Sequence, residues 1–546
     1  MTAASPPTPG RQTTDASPVA DHEPATDPDQ QADPPSWVDR LEWCAVAVVV
    51  AAMTIAMVRS VRAGWTPISD EALIELRVRD VPGHLPLVGV YSRFGWNHPG
   101  PTQFYLLAIA YRLGRSSSSA LLVGTVALHT AFIGIAWFVA RRLDRVAGVA
   151  VLAALTAVLA TTAGPFVRTP WNPYVALVSG GMLVVLAWAT AERRASASAA
   201  LLGVATLLVQ SHLVTAPMVA MTVLTGLALA FLPRRAAEVD APLPWRWLGV
   251  GAAIALVLWL PPLVQQLTTH PGNLTLMLEH GGGSSKAAGL PAAGGVISHA
   301  FALWPGVVRP SVVGSVLVDT STTLPVWLLL PVAALVQALR RGDTRYVRGL
   351  VVVFASLVGL LAMVSAMTGG VFNYLLVSMR PVVAVAVAIS IAGLLAAAPS
   401  QVRVGARCAG CIAVLVLAGS LAVKQGRADN PLASSAPTVA QLVHAVETEA
   451  GAHSISVSSA ADFRSSELAA AVLLQLERDG HRVTSGDGDA SKVGRHRTKA
   501  RTDYAVIVAP TGMATYLTER GWSILAVQRV DDGAPTRVLV AARPQT

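Results

Sequence analysis

Residues 41–58 read Leu41-Glu42-Trp43-Cys44-Ala45-Val46-Ala47-Val48-Val49-Val50-Ala51-Ala52-Met53-Thr54-Ile55-Ala56-Met57-Val58. A helix over this run is about 27 Å long at ~1.5 Å per residue, close to the ~30 Å hydrocarbon thickness of a bilayer. Its single acid stands at the start, and Arg59 and Arg62 follow its end. The run predicts a membrane span. Similar apolar runs follow near 119–140, 146–163, 173–191, 199–232, 246–264, 323–339, 349–367, 375–397 and 408–424. The run 199–232 is too long for one crossing, and Gln210-Ser211-His212 with Pro217 divides it in two. The total is about eleven spans.

Composition agrees. Of 546 residues, 53% are hydrophobic and 13% charged, against about 25% charged in soluble domains. Such a chain buries its apolar surface in lipid. The net charge of +9 would suggest nucleic acid in a soluble protein. Here the arginines stand in short loops between apolar runs, where they set topology, and no nucleic acid is expected. Arg141-Arg142, Arg193-Arg194, Arg234-Arg235, Arg340-Arg341 and Arg403/Arg407 all fall on the cytoplasmic side if the N-terminus is cytoplasmic and residues 99–113 do not cross. That segment is therefore expected to be an interfacial helix.

The resulting organisation has a disordered cytoplasmic tail over 1–36, rich in Pro, Asp, Thr and Ala. A transmembrane domain follows over 37–427, with outer loops at 60–118 and 265–322. An extracytoplasmic α/β domain covers 428–546, with helical patterns at 438–450 and 465–479 and strand-like ones at 454–458, 504–508 and 538–541. The basic run Arg495–Arg501 reads as a solvated loop of that domain. Ala, Arg and Val richness with few lysines suits a high-GC bacterial genome, and hence a bacterial plasma membrane.

Chemistry is sought in the first outer loop. It opens Thr66-Pro67-Ile68-Ser69-Asp70-Glu71 and ends Trp96-Asn97-His98-Pro99-Gly100-Pro101-Thr102-Gln103-Phe104-Tyr105. Neighbouring residues on a helix point about 100° apart, so Asp70 and Glu71 take different roles. A carboxylate just outside the lipid is where desolvation tunes a general base. Ser69-Asp70-Glu71 is equally a helix start signal, and both readings hold together. Cys408-Ala-Gly-Cys411 has redox spacing but opens a membrane helix. The Gly281–Ser285 run lacks the Gly-Lys-Ser/Thr of a phosphate loop.

Asp70-Glu71 after the first span, His98-Pro99 with Phe104-Tyr105, and Ala140-Arg141-Arg142-Leu143 resemble the GT-C superfamily of integral membrane glycosyltransferases, in its protein O-mannosyltransferase-like and arabinosyltransferase-like branches. The resemblance covers residues 41–265 at motif level. It implies a GT-C-like fold and a donor sugar on polyprenyl phosphate or pyrophosphate. Transfer would be to an envelope polysaccharide or glycolipid on the outer face. It implies Asp70, with Glu71 beside it, as the catalytic acids, Asp70 taking the acceptor proton while the anomeric centre inverts. His98, Arg168, His212 and Arg380 are the candidates for holding substrate or the leaving phosphate, with Lys286 in reserve. Each has a plainer reading: an interfacial arginine for Arg168, a hydrogen-bonded kink for His212, a snorkelling charge for Arg380. Relatives often carry a further acid in the second outer loop that helps hold a divalent cation (Mg or Mn). Asn172 stands there in this chain, which puts metal dependence in doubt. The alternatives are a non-catalytic scaffold of an envelope-synthesis complex and a transporter of lipid-linked substrate.

Overall fold

The computed structural model describes residue 2 and residues 36–234, 242–281, 286–303, 316–498, 501–530 and 536–545. The expected tail thus lies outside the described residues, apart from residue 2 and Ser36, which opens the first helix Ser36–Arg62. Among the described residues, eight helices are long and apolar enough to cross a membrane: Ser36–Arg62, Ser119–Leu143, Asn172–Ala191, Leu213–Phe231, Trp245–Thr268, Thr344–Ser365, Asn373–Leu395 and Ser400–Arg427. Arg145–Thr161 and Ala195–Ser211 are apolar but shorter. The remaining expected span is the helix Leu329–Arg341, shorter still. All eleven apolar runs are therefore helical, and eight have full spanning length.

The long run after residue 195 breaks where expected. His212 leaves the helix at φ −150°, ψ 102°, and Pro217 sits in the first turn of Ala216–Phe231, where its missing N–H is harmless. The segment near 99–113 forms the helix Thr102–Leu113, about 18 Å long by its rise and too short to span. The chain turns at Gly114 and enters Ser119–Leu143.

The helix Ala176–Ala191 is buried along its whole length and is the axis of the membrane part. Close approach by its neighbours requires small residues. A Cβ on Gly226 would lie 2.8 Å from the Ala187 carbonyl oxygen, and one on Gly349 would lie 2.9 Å from the Trp188 ring.

The five basic loops gather at one end of the helices. Glu42, fully buried, accepts from Trp137 Nε1 at 2.8 Å, Arg141 Nε at 3.0 Å and Arg407 Nη2 at 2.8 Å. Asp144 caps Arg145–Thr161 and binds Arg403 at 2.7 Å. Arg193 donates to the Ala230 carbonyl and Arg234 to that of Ala191. Gln337 reaches the Leu394 carbonyl.

At the opposite end stands the C-terminal domain. Its strands are β1 (Ile455–Ser459), β2 (Val483–Ser485), β3 (Tyr504–Pro510), β4 (Ser523–Val530) and β5 (Thr536–Pro544), in the order β2-β1-β3-β5-β4. The first three are parallel, and β5 runs antiparallel to both β3 and β4. The helices Ala436–Ala450 and Phe463–Arg478 pack on it. The strand-like patterns at 454–458, 504–508 and 538–541 fall on β1, β3 and β5.

The helix Asp70–Arg79 joins the two parts. Ala72 and Leu76, one helical turn apart, enter the core of the C-terminal domain with Ile68. Ile74 and Val78, about 200° round the helix, pack with Phe104, Leu107 and Tyr111. Charges seal the seam. Arg497 contacts Asp80 at 2.9 Å and also Glu477, which Arg79 meets at 3.0 Å. Arg478 reaches Glu75, which also accepts from the Tyr111 hydroxyl at 3.0 Å. This corrects the reading of Arg495–Arg501 as a solvated loop. Arg497 is buried, bridging Asp80 of the first loop and Glu477 of the C-terminal domain. Lys499 and Ala500 lie outside the described residues.

Arg497→Ala removes one of the two arginines on buried Asp80, leaving Arg77, and breaks the tie to Glu477. A cost of roughly 2 kcal/mol is expected, read as earlier release of the C-terminal domain in limited proteolysis, with the membrane helices unchanged by circular dichroism.

Candidate active site

The end of the helix array opposite the basic loops holds a cavity of about 680 Å³. Three pieces of chain close it. The first loop gives Asp70, Tyr91, Arg93, Trp96 and His98. The outer helix ends give Trp171, Asn172, His212, Pro217, Met363 and Tyr374. The C-terminal domain gives Ser459, Glu467, Ser485, Asp489 and Lys492.

Asp70 and Glu71 open their helix and diverge as the 100° step requires. The Asp70 carboxylate is half-buried in the cavity wall and accepts from Trp171 Nε1 at 2.8 Å. Glu71 turns into the packing and accepts from the Thr169 hydroxyl at 2.9 Å. Burial raises Asp70 above the ordinary carboxylate range, opposed by the Trp171 N–H. Burial first, and next the neighbouring Asp70 charge, push Glu71 up to about 8. Glu71 is thus protonated at pH 7 and does not add a second charge beside Asp70. Of the two acids named as catalytic, Asp70 lines the cavity and Glu71 does not.

The residue before them is strained. Ser69 has φ +59° and ψ −136°, a conformation that favours glycine and costs a side-chain-bearing residue roughly 1–3 kcal/mol. Its N–H donates to the Glu467 carbonyl at 3.2 Å. This bond ties the start of the Asp70 helix to the C-terminal domain.

His98 and His212, far apart in sequence, meet in the cavity wall with ring centroids 4.8 Å apart. Burial drives both toward neutrality, His98 well below its usual value with His212 contributing, and His212 to about 4. His98 Nδ1 accepts from the Leu213 N–H at 3.2 Å. The ring proton of neutral His98 is therefore on Nε2.

Glu71, Arg168, Lys286 and Arg380 are not among the described residues that line the cavity. Arg168 is fully buried and donates to Asn430 Oδ1 at 2.9 Å and to the Ala428 and Asp429 carbonyls at 2.9 and 2.6 Å. It pins the end of the last membrane helix rather than a substrate. Arg380 donates to the hydroxyls of Thr162 at 3.0 Å and Thr161 at 2.8 Å, behind the cavity wall. Lys286 is exposed on its loop. Both arginines are corrected as cavity ligands for one reason: freed carbonyls and hydroxyls at nearby helix ends take their N–H groups. Asn172 lines the cavity, but its amide donates to the Ser211 carbonyl at 2.9 Å.

The cavity holds cations that the sequence did not single out. Arg93 lies over the rings of Phe94 and Phe372, at 5.0 and 4.9 Å. Lys492 lies 2.7 Å from Asp489 and 5.3 Å from the centre of the Tyr91 ring. Nothing in their local sequence marks them, because the domain packing brings them in. Among the described residues, no three His, Cys, Asp or Glu side chains converge to hold a metal ion. No step is routed through a metal.

Glu71→Gln tests the buried acid. A carboxyl raised from about 4.5 to about 8 binds its proton more tightly in the folded protein. Its contribution is complete below about pH 4.5 and is lost as pH rises towards 8. The variant is expected to show a smaller drop in Tm between pH 5 and pH 8 than the wild type, by thermal unfolding in lipid discs.

No family model and no curated protein matches the chain. Among solved structures, ArnT from Cupriavidus metallidurans bound to undecaprenyl phosphate is similar at 12% identity and a TM-score of 0.49, over 93% of this chain and 98% of that one. The same protein in the apo state gives 13%, 0.49, 93% and 98%. Arabinosyltransferase EmbB from Mycobacterium smegmatis gives 16% identity and a TM-score of 0.29, over 74% of this chain and 42% of that one.

Proposed function

We propose that the chain is a GT-C-type glycosyltransferase that moves a sugar from a polyprenyl-phosphate carrier to a hydroxyl of a cell-envelope acceptor. The observation that carries the reading is the position of Asp70. Its half-buried carboxylate stands in the wall of a cavity lined both by apolar side chains, such as Pro217 and Met363, and by polar ones, such as His98, Ser485 and Lys492. A prenyl carrier is expected along the apolar helix-end residues, with its phosphate level with the helix ends.

The reaction follows from the residues. Asp70 accepts the proton of the acceptor hydroxyl as that oxygen attacks the anomeric carbon. The bond from the anomeric carbon to the phosphate oxygen breaks, its electron pair leaves with the carrier phosphate, and the centre inverts. Trp171 aims the carboxylate through Oδ2. Arg93 supplies permanent positive charge in the cavity wall, and neutral His98 supplies an N–H from Nε2, both suited to the leaving phosphate. Glu71, protonated and turned away, keeps the base singly charged.

A labelled panel of polyprenyl-phosphate sugars, offered to purified protein in lipid with envelope extract, tests the reading. Wild type is expected to release label from one donor. Asp70→Asn is expected to release it about 10²–10⁴-fold more slowly, the usual worth of a general base, with its fold intact. Wild-type inactivity on every donor would leave the scaffold or transporter reading. Full activity in Asp70→Asn would place the base elsewhere.

Trp171→Phe adds a pH test. Base catalysis needs ionised Asp70, so the rate rises with pH through its pKa. Removing the indole N–H that lowers this pKa is expected to move the acidic limb of kcat to higher pH.

A further inference from the structure

We infer that a groove at the end of the last membrane helix holds an anionic phospholipid of the surrounding bilayer, its phosphate on Lys424 and Arg427 and an acyl chain over Gly419. The inference concerns a face outside the active-site cavity and does not depend on the transferase reading.

The helix Ser400–Arg427 contributes no described residue to that cavity. Its outward face carries Ile412, Val416, Gly419, Val423 and Arg427, spaced by three or four residues and so on one side. Ile412, Val416 and Val423 are each more than half exposed, as lipid-facing side chains of a span are. Gly419 leaves a gap in this stripe: a Cβ built on it meets nothing within 4 Å. Gly419, Ser420, Val423, Lys424, Arg427 and Ala428 line an open groove of about 600 Å³ there.

The depth of the groove fits a headgroup. Arg407, near the opposite end of the helix, pairs with Glu42 and Asp39 among the basic loops. From Arg407 to Arg427 the helix rises about 30 Å, the thickness of the hydrocarbon. Arg427 therefore stands at the second interface, with Lys424 about one turn deeper.

Charge selects the ligand. The basic loops that orient the chain lie at the other end, so the topology rule does not account for these two cations. Among the described residues no acid lines the groove. Asp429, the acid nearest to Arg427 in sequence, pairs with Arg59 at 3.2 Å. Lys424 donates to the Ala160 and Thr162 carbonyls at 2.7 and 2.9 Å, which leaves one of the three N–H groups of an ammonium. Two cations above a lipid-facing gap match a phosphate above an acyl chain. A zwitterionic lipid brings a cation of its own beside Lys424 and Arg427 and fits less well.

The groove also adjoins the seat of the C-terminal domain. The Ala428 carbonyl, at its edge, accepts from both Arg59 and Arg168. A lipid bound here is expected to stabilise the folded chain by mass action.

The test uses the full chain, delipidated in detergent and then given phosphatidylglycerol, phosphatidylcholine with the same acyl chains, or undecaprenyl phosphate. Retained lipid is counted by native mass spectrometry, and Tm is followed in parallel. Wild type is expected to retain phosphatidylglycerol over phosphatidylcholine and to gain Tm from it. Arg427→Gln, at an exposed position, is expected to weaken retention about five-fold, the worth of one cation beside an anionic headgroup. Gly419→Leu fills the gap and leaves both cations in place. It is expected to weaken retention by a similar factor, which separates the groove from the lipid that any span collects around itself. No preference in wild type, or retention and Tm gain unchanged in both variants, would overturn the inference. Stronger retention of undecaprenyl phosphate, lost in both variants, would give the groove to the carrier and overturn the phospholipid.

Discussion

The burial of the short helix Asp70–Arg79 between two hydrophobic cores is the constraint on which the site depends. Ten residues do not make a stable helix in water. This one is held because Ala72 and Leu76 complete the core of the C-terminal domain while Ile74 and Val78 complete that of the first loop. Its charged stripes are enclosed as well. Glu75 and Asp80 are buried, and arginines from both sides of the seam compensate them. Removing either core would release the helix and, with it, the position of Asp70. The C-terminal domain is therefore part of the site's scaffold as well as of its cavity wall.

This arrangement concentrates strain and desolvation at one point. Ser69 adopts a backbone conformation that other side-chain-bearing residues avoid, immediately before two acids that burial raises. The two acids then divide. The Glu71 proton removes a charge from the packed interior, and the Trp171 N–H helps keep Asp70 ionisable. Of the adjacent pair, one carboxyl thus faces the cavity and the other is held in the packing.

The opposite end of the helices carries a second electrostatic centre with a different task. Buried Glu42 and Asp144 gather arginines from several loops. Most of those loops were expected only to orient the chain in the membrane. Their arginines also tie together the ends of helices that are distant in sequence.

Much of the membrane architecture was legible in the sequence. Apolar length marked each helix, Pro217 and His212 marked the break, and the arginine loops marked which ends lie together, because lipid imposes length and charge rules locally along the chain. The acid pair was legible too, since its place just after a span is a sequence property. The placement of side chains was not. Arg168 and Arg380 carried the signature of functional charges, yet nearby carbonyls and hydroxyls claim them. Arg93 and Lys492 carried none, yet they line the cavity. The sequence by itself determined the membrane helices, which of their ends lie together, and the candidate base. Only the tertiary structure decided which charges reach the cavity, because that depends on contacts between segments hundreds of residues apart, such as Arg497 with Asp80 and Ser69 with Glu467.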